Sequence, residues 1–325
     1  MPQLPAGGRQ GLKGMVICFS AQIEESYSKY LRATGAQIDI EQFVEIFGVR
    51  VHDPSIKIPR AVDRWFEHPK GADELVLRNL LMQHRAARLA ELNVELKKQW
   101  DRLSKAEAAL QNKPTKKASE EQRIATAKIE SLEKRRPLFE HWLPTKLDDR
   151  IFPMQYAPIV LMADGKPVIR LARYHCRQDG RPATIDREKD GLYNARRDNI
   201  TRFWRNEFGK FHALMLVTSF FENVDQDGRN VVLHFTPQPA ETMLIACVYS
   251  VWKDPAGGRN LLSFAAVTDD PPAEVAAAGH DRIIINLGEA AARRWLSPEG
   301  RTAAELQAIL DDRQRPFYTH EVMAA

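Results

Sequence analysis

Four short segments of the sequence carry the residue types that could do chemistry. Cys18 lies in the apolar segment ICFSAQ, and a thiol there is either a nucleophile or a small core residue. Glu222 ends the apolar run LMLVTSFFENV, as a turn cap or a desolvated functional carboxylate. His280 directly precedes a strand-like IIINL, where imidazole could exchange protons near neutral pH or donate to the backbone. The fourth segment is the polar turn GLYNARRDN, with Asn194 and Arg196. Each has an ordinary structural explanation, but their order along the chain suggests a site.

Composition limits the class of protein. The 325 residues allow one large domain with an insertion, or two ordinary domains. A hydrophobic share of 44% and a charged share of 28% are typical of soluble globular proteins. No apolar run approaches the roughly 20 residues that span a bilayer, and the opening MPQLPAGGRQGLKG is not a secretory signal. A cytoplasmic protein without a membrane partner is expected. The net charge of +4 permits a phosphate-binding face without requiring one.

Cofactor and metal chemistry are not indicated. Cys18, Cys176 and Cys247 are too few and too scattered for a zinc site or a disulfide framework. The sequence contains no phosphate loop, no Gly-rich dinucleotide turn, no His-rich cluster and no Gly-x-Ser-x-Gly elbow. We therefore expect neither a metal nor a cofactor.

The N-terminal half predicts an extension followed by helices. Residues 1–14 are predicted to be disordered, 15–19 a buried strand and 21–34 a helix. Between residues 73 and 136 the pattern predicts an antiparallel helical hairpin with a charged exterior. Its apolar seam recurs at helical spacing: Leu89, Leu92, Leu96, Trp100, Leu103 and Leu110. A break at 112–115 precedes a second helix, which a Ser119–Gln122 capping box would begin and which would stop before Pro137. The hairpin either packs only on itself or forms an arm for DNA or a protein partner.

After Pro144 the pattern becomes β-rich. Strands are predicted at 157–162, 166–172, 212–218, 230–235, 243–250, 261–267 and 282–287. Helices are predicted at 198–206, 289–296 and 302–311. Because strands dominate with few βα alternations, a doubly wound sheet is disfavoured. The predicted fold is α+β, with a mixed or antiparallel barrel-like sheet. Residues 15–325 would form one domain, with the hairpin inserted between its first two strands.

Six segments in order resemble one protein family. They are CFSAQ, YAPIV (156–160), YNARRDN with Asp198 as its acid, FFENV, SFAAVT (263–268) and GHDR. Together they resemble the SOS response-associated peptidase family, the abasic-site processing proteins, throughout residues 15–325 apart from the helical insertion. The resemblance implies a role in the SOS response and DNA repair. It implies DNA binding and a covalent protein–DNA linkage, with protease or lyase activity, near the nucleoid.

The family's activity is covalent attachment to abasic sites in single-stranded DNA, which is the partner implied here. An N-terminal cysteine supplies an amine and a thiol, which close a thiazolidine ring on the sugar aldehyde. By this resemblance Cys18 is the nucleophile, His280 the acid–base residue and Glu222 the proton relay. Asn194 would position the sugar or its phosphate by amide hydrogen bonds, with support from Thr268. Arg196 and Arg282 would bind the flanking phosphates.

The sequence departs from the family pattern in front of the cysteine. The family begins Met-Cys, whereas 17 residues precede Cys18 here, and a start at Met15 still leaves Val16 and Ile17. Either Cys18 cleaves the Ile17–Cys18 bond with help from His280 and Glu222, or the thiazolidine chemistry is lost, or the assigned start is not that of the mature protein.

Two further segments differ from the family. Phe19-Ser20 replaces the family's basic residue after the cysteine, and YHCR (174–177) replaces its Trp-Gly turn. His175 and Cys176 are not predicted to be a catalytic dyad, because neighbouring strand residues point to opposite faces.

Two other functions remain open. One is a thiol autopeptidase that uses Cys18, His280 and Glu222 without forming a DNA adduct. The other is a non-catalytic single-stranded DNA-binding adaptor that uses the charged hairpin. Phe203 and Trp204 are candidates for stacking on a base, with core packing as the favoured interpretation.

Overall fold

The structure, a computed structural model, describes residues 20–24, 26–141, 143–145 and 147–323. The extension predicted over 1–14 and the strand predicted over 15–19, which includes Cys18, lie outside the described residues.

The first described elements differ from the helix predicted over 21–34. Strand β1 (Ser20–Ile23) precedes helix α1 (Tyr27–Thr34), so the first part of that prediction is wrong. Ala21 and Ile23 are fully buried, because β1 pairs with residues 217–221 in the main sheet. Tertiary pairing has outweighed local helix preference here. Gly35 ends α1 with a φ of 69°, and its amide donates to the Leu31 carbonyl.

Four elements connect α1 to the hairpin. They are strand β2 (Gln37–Ile38), helices α2 (Ile40–His52) and α3 (Arg60–Asp63), and a 3-10 helix (Arg64–Phe66). The side chain of Asp39 caps α2 by accepting from the Gln42 amide, 3.1 Å away. Inside this layer, Arg50 and Asp63 form a buried ion pair.

The predicted helical hairpin is present as α4 (Ala72–Asn112) and α5 (Lys116–Glu140). The predicted capping box is wrong, because α5 begins earlier: Thr115 Oγ1 accepts from the Ala118 amide at 3.1 Å. The helix also continues through Pro137, although the sequence predicted an end before it. The seam between the helices is formed by five buried residues, Leu92, Leu96, Leu103, Ala125 and Ile129. Trp100, a predicted seam residue, is 52% exposed.

The base of the hairpin belongs to the main core. Leu77 and Leu81 in the first turns of α4 are buried in the same apolar cluster as the sheet. His84 follows them, with Nδ1 3.1 Å from the Arg50 carbonyl oxygen. Burial lowers the pKa of His84 to about 4, so its imidazole is neutral at pH 7. Arg88 still donates to the Val51 carbonyl, and beyond it Leu92, Leu96 and Leu103 of α4 pack against α5.

We therefore expect the outer hairpin to be dispensable for folding and its base to be essential. Removal of residues 91–134, with a short Gly–Ser linker between 90 and 135, should leave a cooperatively folded protein. Leu77→Ala should cost about 2–5 kcal/mol of unfolding free energy, because it opens a cavity in the main core. Denaturant unfolding of both variants checks this. A truncated hairpin that unfolds the rest of the chain would contradict the assignment.

The remaining elements agree closely with the β-rich pattern. The strands are β3 (Arg150–Ile151), β4 (Tyr156–Ala163), β5 (Lys166–Tyr174), β6 (Asn194–Arg196), β7 (His212–Gln226), β8 (Arg229–Gln238), β9 (Met243–Trp252), β10 (Leu261–Asp269), β11 (Ile283–Ile284), β12 (Asn286–Leu287) and β13 (Phe317–Val322). The helices are α6 (Ile185–Glu188), α7 (Ala273–Ala277), α8 (Glu289–Trp295) and α9 (Ala303–Asp311).

The helix predicted over 198–206 is wrong. A short 3-10 helix over Arg197–Asn199 is followed by turns. The side chain of Gln178, 25 residues away in the chain, donates to the Phe203 carbonyl at 3.0 Å and holds this turn in place. Trp204 is buried in the core, as the favoured interpretation held.

Five strands close into a ring in the order β4–β5–β10–β9–β7. The pair β5–β10 is parallel and the other four pairs are antiparallel. The α+β prediction with a mixed, barrel-like sheet and a charged helical hairpin is thus confirmed. Two strands extend the ring where the candidate residues lie: β6 pairs with β10, and β1 pairs with β7.

Candidate active site

A buried carboxylate and an imidazole meet between β7 and the turn before β11. Glu222 is 4% exposed, and its Oε2 lies 2.9 Å from Nε2 of His280. Gly279, with a φ of 94°, packs against Val224 of β7 and so brings the turn close to that strand. The Nδ1 atom of His280 lies 2.8 Å from the Arg282 carbonyl oxygen, which fixes the orientation of the ring.

The hydrogen bonds define the protonation of this pair. A carbonyl oxygen can only accept, so Nδ1 of His280 carries a proton. The short contact between Nε2 and Glu222 then requires a second proton, either on the imidazole or on the carboxyl group. The pair can therefore donate a proton and also take one back, as an acid–base site must.

The pKa values of Glu222 and His280 are both raised, but by different causes. Burial raises the pKa of Glu222, with partial opposition from its hydrogen bond to His280. Burial alone would lower the pKa of His280, but the hydrogen bond and charge of Glu222 outweigh it and raise that pKa above its ordinary value. The pair thus keeps its shared proton to higher pH than the two isolated groups would.

These shifts predict how stability depends on pH. A group whose pKa is raised on folding stabilises the fold at low pH, and this contribution is lost as pH rises through the folded pKa. The free energy of unfolding of the wild type, minus that of Glu222→Gln, should therefore fall as pH rises above 4.5, the ordinary value for glutamate. Urea unfolding of both proteins at a series of pH values measures this difference in free energy. A difference that grows with pH would show that Glu222 is a simple carboxylate.

Asn194 and Thr268, two further predicted site residues, lie on the paired strands β6 and β10. Strand β6 runs parallel to β10, with Asn194 opposite Ala266 and Arg196 opposite Thr268. Oδ1 of Asn194 and Oγ1 of Thr268 are buried and have no hydrogen-bond partner among the described residues. Buried polar atoms normally have partners, so these two are suited to receive a ligand's polar groups.

The two predicted phosphate-binding arginines are partly exposed, and among the described residues each is paired with nearby acids. Arg196 is 3.3 Å from Asp198 and 3.8 Å from Asp270. Arg282 donates to both carboxylate oxygens of Asp281, at 2.8 and 3.2 Å. Its positive charge also acts on Glu222, which places it beside the acid–base pair. Exposed ion pairs of this kind are weak, so both guanidinium groups can exchange their partners for phosphate.

One positioning group was not found from the sequence. Arg197 donates to Asp269 at 3.1 Å and to the side chain of Gln307 at 2.7 Å. Asp269 also accepts from Arg313 at 2.6 Å and follows Thr268 directly. These contacts join β6, β10 and α9 and hold the Asn194 and Thr268 side chains in register. The partners are 44 to 110 residues apart in the chain, so no local pattern could have revealed them.

The predicted nucleophile of the site, Cys18, lies outside the described residues. Cys18 itself is not described, but β1 begins two residues after it, with Ser20 opposite Phe221, next to Glu222. The other two cysteines, Cys176 and Cys247, are fully buried, and burial raises the pKa of both thiols. Both are therefore inert as nucleophiles. In the described part of the chain, no three His, Cys, Asp or Glu side chains are grouped so as to hold a metal ion.

The protein is thus an α+β protein with a closed mixed sheet. A buried carboxylate–imidazole pair, suited to acid–base chemistry, lies beside strand β7 of this sheet. A family model described as SOS response associated peptidase (SRAP) matches residues 145–325, more than half of the chain. The protein belongs to this family, as the sequence motifs predicted. Membership connects the chain with the SOS response and DNA damage and with peptidase-like enzymes.

Three solved bacterial structures are similar to part of the chain. A protein from Bacteroides thetaiotaomicron is 18% identical with a TM-score of 0.45, over 52% of this chain and 74% of that one. A Bordetella bronchiseptica protein is 17% identical with a TM-score of 0.45, over 56% of this chain and 90% of its own. A phage-related protein from the same organism is 18% identical with a TM-score of 0.42, over 55% and 82%. No curated protein was found to be similar in sequence. Along the described residues, no helix is long and apolar enough to cross a membrane.

Proposed function

We propose that this protein processes abasic sites in single-stranded DNA by forming a thiazolidine crosslink through Cys18. The observation that carries this proposal is the buried contact of 2.9 Å between Glu222 and His280. The chain supplies a proton donor and acceptor there, directly beside the strand that follows Cys18.

The first described residue after Cys18 is fixed beside this pair. One residue separates Cys18 from Ser20, so their Cα atoms can be at most about 7 Å apart. Ser20 is buried and held by the Arg150 guanidinium, whose Nε donates to its hydroxyl at 2.9 Å. A fixed start of β1 next to Glu222 therefore limits where the thiol can be.

The chemistry divides into three balanced steps. The protonated pair gives a proton to the ring oxygen of the abasic sugar and takes up the proton of the anomeric hydroxyl, so the bond between C1 and the ring oxygen breaks and an aldehyde forms. The amine of Cys18 attacks the aldehyde carbon, and loss of one water leaves an imine. The thiol sulfur then adds to the imine carbon, and its proton passes to the nitrogen. One C–N bond and one C–S bond have formed and one water has been released.

The neighbouring side chains would hold the DNA during these steps. Asn194 and Thr268 offer buried polar atoms without other partners to the sugar. Arg196 and Arg282 offer planar forks of donors to the flanking phosphates. Preorganised donors of this kind reduce the entropy lost when the sugar is positioned.

The amine of Cys18 must first be released from Ile17. Hydrolysis of the Ile17–Cys18 bond adds one water, leaves a carboxylate on Ile17 and frees the amine. The thiol can attack the Ile17 carbonyl to give a thioester, which water then hydrolyses, and the Glu222–His280 pair would protonate the departing amine. This step fits the peptidase description of the family.

Incubation with a single-stranded oligonucleotide bearing one abasic site tests the proposal. The expected product is a protein–DNA species that survives a denaturing gel and high salt. Two control oligonucleotides, one undamaged and one with a tetrahydrofuran residue that cannot form an aldehyde, should bind weakly and reversibly. Salt-sensitive binding without any stable adduct would instead support the adaptor function.

A thiol autopeptidase without DNA chemistry is the second candidate, because 17 residues stand before Cys18. Residues of the Glu222–His280 pair would serve that reaction equally well. Quantitative cleavage before Cys18, together with no adduct on abasic DNA, would favour this function over the first.

A further inference from the structure

A large cavity adjoins the part of the candidate site that contains Asn194. Its volume is about 850 Å³, and Phe152, Met154 and Tyr193 form apolar parts of its wall. It shares Asp190 and Gly191 with a smaller depression of about 480 Å³ that contains Asn194 and Arg196. The two spaces are therefore neighbours, and a chain-like ligand could occupy both.

The polar side of the cavity carries more positive than negative charge. Asp186 is paired with Arg173, at 2.7 Å, and with Arg177. Burial opposes the charge of Asp186, but the hydrogen bonds from these two arginines outweigh it and lower its pKa. Arg187 and Asp190 also line the wall. Three guanidinium groups against two carboxylates favour an anionic ligand.

His175 projects an unsatisfied polar atom in this cavity wall. It is 4% exposed, and its Nε2 has no hydrogen-bond partner among the described residues. The nearest acid, Asp186, is 4.0 Å away, too far for a hydrogen bond. The backbone of His175 has a φ of 150°, a value that residues other than glycine rarely adopt. A strained histidine with an unmet hydrogen bond indicates a ligand-binding role.

We propose that this cavity is a subsite for one nucleotide that adjoins the damaged sugar on the same DNA strand. The base lies against Phe152, Met154 and Tyr193, and its edge hydrogen-bonds to Nε2 of His175. Its phosphate is held by Arg187. This inference rests on the proposed function, because it assumes that the abasic sugar lies at Asn194.

The test measures reversible binding, so that it does not depend on crosslinking. Fluorescence anisotropy gives Kd for an oligonucleotide that ends at a tetrahydrofuran residue. It also gives Kd for oligonucleotides with one added nucleotide on the 5′ or the 3′ side. One of the two additions should tighten binding about tenfold, as expected for one stacked base. The same addition should have almost no effect on the His175→Gly or Arg187→Ala protein.

The two variants separate ligand contact from damage to the fold. Glycine accepts the φ of residue 175 without strain, and Arg187 is exposed, so both proteins should fold. Both should bind the shorter oligonucleotide as the wild type does. A wild type that gains nothing from either addition, or variants that keep the full gain, would overturn the subsite.

The outcome is distinguishable from failure of the proposed function. A stepwise gain in affinity without any adduct on a natural abasic site would leave the subsite standing and remove the covalent chemistry. An adduct without the gain in affinity would leave the covalent chemistry standing and remove the subsite. No binding of any of the oligonucleotides would refute both.

Discussion

Cys18→Ala should abolish the stable adduct with abasic DNA. Alanine at this position has no thiol, so it can neither release its own amine from Ile17 nor close the thiazolidine ring on the aldehyde. Borohydride reduction should therefore trap no imine at residue 18, and a reduced crosslink mapped to residue 18 would show that its amine is released without the thiol. The measurement is the fraction of oligonucleotide in the denaturation-resistant band, with and without the reductant.

The matched control for this variant is Cys176→Ala. Cys176 is fully buried, and burial raises the pKa of its thiol, so its removal changes the number of cysteines but no reactive group. It should form the adduct at close to the wild-type rate. A stable adduct from Cys18→Ala at wild-type yield would mean that another residue is the nucleophile.

Glu222→Gln should slow crosslinking by about 10²–10⁴-fold, the usual contribution of a positioned acid–base group. Glutamine keeps the size of the side chain and can still donate to Nε2 of His280. It cannot exchange a proton with the imidazole, so the shared proton of the pair is lost. His280→Ala should have an effect of similar size, and the double variant should be little slower than either single variant, because the two act as one unit.

A second buried glutamate provides the control. Glu207 is 2% exposed, burial raises its pKa, and it accepts from Gln178 at 2.8 Å. Because it is not in contact with the Glu222–His280 pair, Glu207→Gln should change the rate of crosslinking little. Single-turnover rates across a range of pH provide the readout. A Glu222→Gln protein with the wild-type rate and pH profile would exclude the pair from the chemistry.

Much of the fold followed from local sequence patterns. Alternating apolar residues located the strands of the ring, and helical spacing located the hairpin within a few residues. The errors arose where distant contacts decide the structure. Ala21 and Ile23 pair with β7 instead of forming a helix, and Phe203 gives its carbonyl to Gln178. Trp100 fitted the periodicity of the seam, but it is exposed on the hairpin.

The candidate site was accessible from the sequence because its residues lie in short motifs. The motifs could identify Glu222 and His280, but only the folded chain brings them to 2.9 Å and makes them share a proton. The role of Arg197 and Asp269 depends on contacts across three elements, which no motif encodes. The unmet hydrogen bond of His175 likewise results from its burial in the folded chain, so no local pattern could reveal it.

The central claim is that one residue provides both the amine and the thiol. Intact mass spectrometry of the purified adduct measures this most directly. The account predicts the mass of residues 18–325 plus the oligonucleotide, less one water for the imine condensation. An adduct that contains the intact 1–325 chain would contradict it, because Cys18 would then have no free amine with which to close the ring.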